Sequence, residues 1–167
     1  ESPMPHSETG VSDTLGISLR PEYPVYSTQT SKASFVLINQ SNRNIMCGEE
    51  YCITYEDEQG IWRKLPTDNI FFSVGYLVQP GEYRIRTASL YPEMYPNKPG
   101  RYRFLYHLTL LDTRTRIQMM TEFRLSNDEK EWKQTKKLEI PIHLTITQNS
   151  DNSATSETSA DEETSGQ

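Results

Sequence analysis

No stretch of this chain approaches the roughly 18 consecutive apolar residues that a helix needs to cross a bilayer. A glycine-rich phosphate loop, a nucleophile elbow and a His-Glu-x-x-His pair are also missing, and with them the usual signals of nucleotide, acyl-transfer and zinc-protease chemistry. Histidine is scarce. His6, His107 and His143 stand far apart, the last two at polar positions of alternating segments, where a solvated ring is the ordinary outcome. That inventory offers no catalytic residue, no cofactor and no metal site. A field of one sign is missing as well. Residues 149–167 hold five acids and no base, which leaves 17 bases against 18 acids in the rest of the chain. A near-neutral body has no field with which to gather nucleic acid or an anionic membrane.

What the chain does have is β pattern. Pro80-Gly81-Glu82-Tyr83-Arg84-Ile85-Arg86-Thr87 and Pro99-Gly100-Arg101-Tyr102-Arg103-Phe104-Leu105-Tyr106 are each a Pro-Gly turn followed at once by an alternating strand. Proline fixes its own φ and glycine accepts a positive one, so the pair reverses the chain at little steric cost. In the second copy Tyr102, Phe104, Tyr106, Leu108 and Leu110 share one face, and Arg101, Arg103, His107 and Thr109 share the other. A period of two marks a half-buried strand in an antiparallel sheet.

Further strands fall at regular spacing. Ile17–Arg20 runs into Pro21 and then Pro24, which predicts an edge strand or one that switches sheets. Phe35–Ile38 is continuously apolar and reads as central. Tyr51, Ile53 and Tyr55 alternate, and Glu56–Gly60 closes a hairpin into Ile61–Pro66. Ile117, Met119, Thr121, Phe123 and Leu125 share a face, Ser126–Lys137 is a charged loop or one helical turn, and Leu138–Ile146 alternates again. A full-length amphipathic helix is nowhere to be found. Seven to nine short strands predict an all-β, antiparallel β-sandwich over residues 15–147.

The succession Gly60-Ile61-Trp62-Arg63-Lys64-Leu65-Pro66, then Leu77-Val78-Gln79-Pro80-Gly81-Glu82, then Lys98-Pro99-Gly100-Arg101-Tyr102-Arg103 resembles a bacterial immunoglobulin-like domain. The resemblance covers about residues 15–125, with Leu138–Ile146 as an additional strand. It implies an exported or surface-attached, non-catalytic module that works in protein–protein interaction, adhesion or spacing. The alternative is a small ligand- or carbohydrate-binding protein, or an enzyme accessory domain, using a loop or cleft at one end of the sandwich. Tyr102 would serve as a tyrosine corner, its hydroxyl bonded to backbone near Tyr95–Pro99.

Composition frames that body. Residues 148–167 contain no aromatic, valine or isoleucine and are expected to be a disordered acidic tail. Residues 1–14 are expected to be a flexible tether, of the kind that follows the anchoring cysteine of a bacterial lipoprotein, which places any lipid anchor upstream. Cys47 and Cys52 give only half a zinc shell and lack Cys-x-x-Cys spacing. A local disulfide in an extracytoplasmic protein is favoured over two half-buried thiols. The acids Glu56, Asp57 and Glu58 read as a solvated hairpin tip, not a calcium loop. Of ten tyrosines, Tyr51, Tyr55, Tyr102 and Tyr106 read as core. Tyr91, Met94 and Tyr95 are interleaved with Pro92 and Pro96 in a loop without an apolar period, and such stiffened aromatics suit a protein or carbohydrate partner.

Overall fold

The computed structural model describes residues 5–6, 8–66, 70–95 and 97–147, and the expected acidic tail lies outside the described residues. Among the described residues eleven strands and one short helix follow in order. They are β1 (Asp13–Thr14), β2 (Ile17–Pro21), β3 (Val25–Ser27), β4 (Lys32–Asn39), β5 (Ile45–Glu56), β6 (Trp62–Lys64), β7 (Tyr76–Val78), β8 (Glu82–Ser89), β9 (Gly100–Leu110), β10 (Thr115–Ser126), α1 (Glu129–Lys133) and β11 (Thr145–Ile146). One sheet has the order β1-β2-β4-β8-β11 and the other β3-β10-β9-β5-β6, with β7 also paired to β5. Packed face to face, they form the immunoglobulin-like sandwich that the alternation predicts.

Local chemistry explains the turns. Gly81 sits at φ +81°, a conformation few side chains tolerate, and its N–H donates to Asn39 O at 2.8 Å. After Pro21 the chain leaves β2 and enters the second sheet as β3, parallel to β10, so the first strand does switch sheets. Asp128 caps α1 by accepting from the Lys130 N–H at 3.0 Å.

The core is aromatic. Phe35 and Phe104 stack across the sheets with centroids 4.0 Å apart, and Phe123, Tyr51, Tyr102 and Tyr106 close around them. A second cluster lies on the outer face of the first sheet, where Val36, Ile38 and Ile85 meet Leu144, Leu138 and Ile140. This accounts for the unbroken apolar run in β4: Phe35 and Leu37 face inward, while Val36 and Ile38 face the segment that follows α1.

That segment departs from expectation. Only Thr145–Ile146 of the expected strand Leu138–Ile146 pairs, in parallel with Glu82–Tyr83. Pro141 has no N–H, the Leu144 N–H turns back to its carbonyl at 3.0 Å, and Ile142 is fully exposed at the bend. The remainder lies across the sheet as a strap. The expected tether is likewise fastened where it is described. The His6 N–H donates to Trp62 O at 2.9 Å at one edge of the second sheet, and Val11 bridges Met119 at the other. Residues 8–10, between them, therefore cross the outer face of the second sheet. Sheet pairing begins at Asp13, two residues before the expected start.

Cys47 and Cys52 are free thiols in this structure, which does not show the expected disulfide. They belong to one strand, but a bulge between Cys47 and Tyr51 shifts its phase. Cys47 consequently joins the inner core, whereas Cys52 lies outward with its sulfur 4.0 Å from His6 Nε2. Burial raises the pKa of both thiols, which keeps them protonated.

Candidate functional site: the loop end of the sandwich

The predicted tyrosine corner is present. Tyr102 OH donates to Lys98 O at 2.7 Å, which ties the start of β9 to the loop before it. Burial pushes the phenol up to about 12. That bond and the β5–β6 hairpin frame an open cleft of about 880 Å³ at one end of the molecule.

The hairpin supplies one wall. Asp57 accepts from the N–H groups of Gln59 and Ile61 at 2.9 and 2.8 Å and from Arg63 Nε at 2.6 Å. The Arg63 hydrogen bond, aided by those two backbone donors, holds the Asp57 carboxyl below its usual range. Glu56 pairs with Arg101 at 3.2 Å. The three consecutive acids are thus partly a turn device, and Glu58 alone among them has no partner among the described residues.

The facing wall is the loop singled out by its tyrosines. Tyr91 adopts φ +46° and its carbonyl accepts from the N–H groups of both Met94 and Tyr95 at 3.0 Å, so the chain closes a tight turn. The turn sets the Tyr91 and Tyr95 rings nearly perpendicular, centroids 6.4 Å apart, and leaves Met94 56% exposed. Tyr95 lines the cleft together with Tyr55. The structure therefore brings the three expected partner-binding residues into one exposed turn, and separates Cys47 and Cys52 from it entirely.

Asn97 lines the cleft and carries no sequence signal that could have marked it. Its Nδ2 donates to Leu90 O at 3.0 Å, which fixes the amide, and its Oδ1 is buried without a protein partner. Such an orphaned acceptor costs about 1–3 kcal/mol. Two acids of the cleft are neutralised in pairs, Asp57 with Arg63 and Glu56 with Arg101.

These features define an immunoglobulin-like module with an open loop end. The family model described as bacterial Ig-like domain matches residues 13–130, and the chain belongs to that family. A comparison with curated proteins finds no match. One similar solved structure is the Pseudomonas fluorescens alkylpurine DNA glycosylase AlkC bound to DNA containing an abasic site analog. Identity is 16% and the TM-score 0.38, over 70% of this chain and 32% of that one, so the chain spans about a third of the glycosylase. A Northeast Structural Genomics Consortium target aligns at 14% identity and TM-score 0.39, over 75% of this chain and 92% of its own. Likenesses this distant carry no functional argument.

Proposed function

We propose that the chain is a non-catalytic protein-interaction module of an exported or surface-attached bacterial protein, and that it meets its partner through the Tyr91–Tyr95 turn. Family membership supports the broad reading. The observation that carries the finer one is the contrast between this turn and the surfaces around it. The outer faces of both sheets are crossed by the chain's own terminal segments. The strands that end the two sheet orders, β1, β11, β3 and β6, are only two or three residues long, and β11 covers just the first two residues of the β8 edge; such short end strands discourage strand addition. The turn, by contrast, offers Met94 to solvent beside two rigid rings, the composition that interface centres favour.

The test is a pair of substitutions. Tyr91→Ala and Tyr95→Ala are expected to leave the thermal midpoint nearly unchanged while removing capture of the partner from the native source. Unfolding of both variants would place these tyrosines in the core and end the reading.

A further inference from the structure

We propose that the cleft between the β5–β6 hairpin on one side and Tyr95 and residues 97–102 on the other is a binding site for an uncharged, hydroxyl-rich ligand, a saccharide. The proposal goes beyond the protein-contact reading and rests on different groups, sharing only Tyr95 with it.

Asn97 Oδ1 is the starting point. The Leu90 carbonyl holds the amide in one orientation, and Oδ1 of this cleft-lining residue is left as a buried acceptor without a donor among the described residues. The polar groups around it are mixed in kind. The Tyr55 and Tyr95 hydroxyls, each able to donate and accept, have no hydrogen-bond partner among the described residues; nor do the Glu58 carboxylate and the Lys98 ammonium. A sugar hydroxyl also donates and accepts, so it matches every one of these groups.

Charge points the same way. Asp57 is committed to Arg63 and Glu56 to Arg101, which leaves one free acid and one free base, Glu58 and Lys98. A cationic ligand gains at Glu58 what it loses at Lys98, and an anionic ligand the reverse, so the site prefers neither. The half-buried rings of Tyr55 and Tyr95 offer the flat apolar surface on which the C–H face of a pyranose packs. At about 880 Å³ the cleft is of the size that small-molecule sites occupy.

The experiment is an amide chemical-shift titration of the full chain with maltotriose, cellotriose and triacetylchitotriose, each to about 20 mM, since short sugars in open clefts bind in the millimolar range. At least one is expected to shift the amides of Tyr55, Tyr95, Asn97 and Lys98 in a saturable way. Asn97→Ala should weaken that binding about tenfold, the equivalent of ~1.4 kcal/mol. Tyr55→Phe keeps the ring beside Tyr102, so the loop stays folded, and it should weaken binding in the same direction. Silence from all three sugars at these amides overturns the proposal. So does equal affinity in both variants, or tighter binding of the peptide acetyl-Gly-Arg-Gly-amide at the same amides. Met94→Ala, which removes no ring from the cleft, should leave the titration unchanged, so loss of partner capture in that variant without any sugar response would sink the saccharide site and leave the protein contact standing.

Discussion

At the residue scale the molecule turns on buried hydroxyls and on two arginines that point inward. Arg84 is 2% exposed, lies 4.0 Å from the centroid of the Tyr76 ring, and donates from Nε to Tyr106 OH at 3.1 Å. Tyr106 OH in turn donates to Gly48 O. Arg86 Nε reaches Glu49 O at 2.9 Å. The bulge in β5 thus frees two carbonyls, of which Gly48 O accepts from Tyr106 OH of β9 and Glu49 O from Arg86 of β8. We predict that Tyr106→Phe, which breaks the link between Arg84 and the bulge, costs about 2 kcal/mol, against about 1 kcal/mol for Tyr102→Phe, whose hydroxyl holds one neutral backbone carbonyl. Urea titrations of the two variants give the comparison. These phenols also set an alkaline limit. Burial raises Tyr102 from 10.0 to about 12 and raises Tyr106 further. A folded pKa above the unfolded one stabilises fully below the unfolded value, so stability should hold to pH 10 and fall between pH 10 and 12. A urea midpoint that stays flat through that window would contradict the burial of these hydroxyls.

At the element scale, what was legible in the sequence was whatever local chemistry determines alone. The Pro-Gly turns, the alternation of Tyr102–Leu110, the Pro21/Pro24 switch and the tyrosine corner all follow from one residue and its near neighbours. The misread elements depend on partners distant in sequence. Leu138–Ile146 alternates like a strand, yet its apolar residues answer to Val36, Ile38 and Ile85 across the first sheet, and Pro141 prevents a continuous ladder. Cys47 and Cys52 looked close enough to bond because a bulge cannot be counted from spacing. Asn97 and the cleft had no periodic signal at all. The strap gives an element-scale prediction. Leu144→Ala should cost about 2 kcal/mol, the low end for a buried leucine, because the strap can settle onto the sheet. Ile142→Ala, at a fully exposed position, should stay within about 0.5 kcal/mol. Equal losses at the two positions would mean that the strap is not seated as described.

At the scale of the whole molecule, the terminal segments and short end strands limit the sheet surface left open to a partner. Crossing segments occupy both outer faces, and the exposed edge of β8 is capped within the chain. Thr87 O accepts from Arg86 Nη1 at 2.7 Å, the Ser89 N–H donates to Tyr51 OH at 3.1 Å, and β11 pairs with Glu82 and Tyr83. The loop end has no comparable cover among the described residues, which supports the proposed contact at Tyr91–Tyr95. The most direct test is site-specific photo-crosslinking in the native source, with benzophenone side chains placed at Met94 or at Ile142, two highly exposed positions on different surfaces. The account predicts a crosslinked partner from position 94 and none from position 142. A partner captured from position 142 alone would show that binding uses the strapped face of the first sheet and would contradict the loop-end contact.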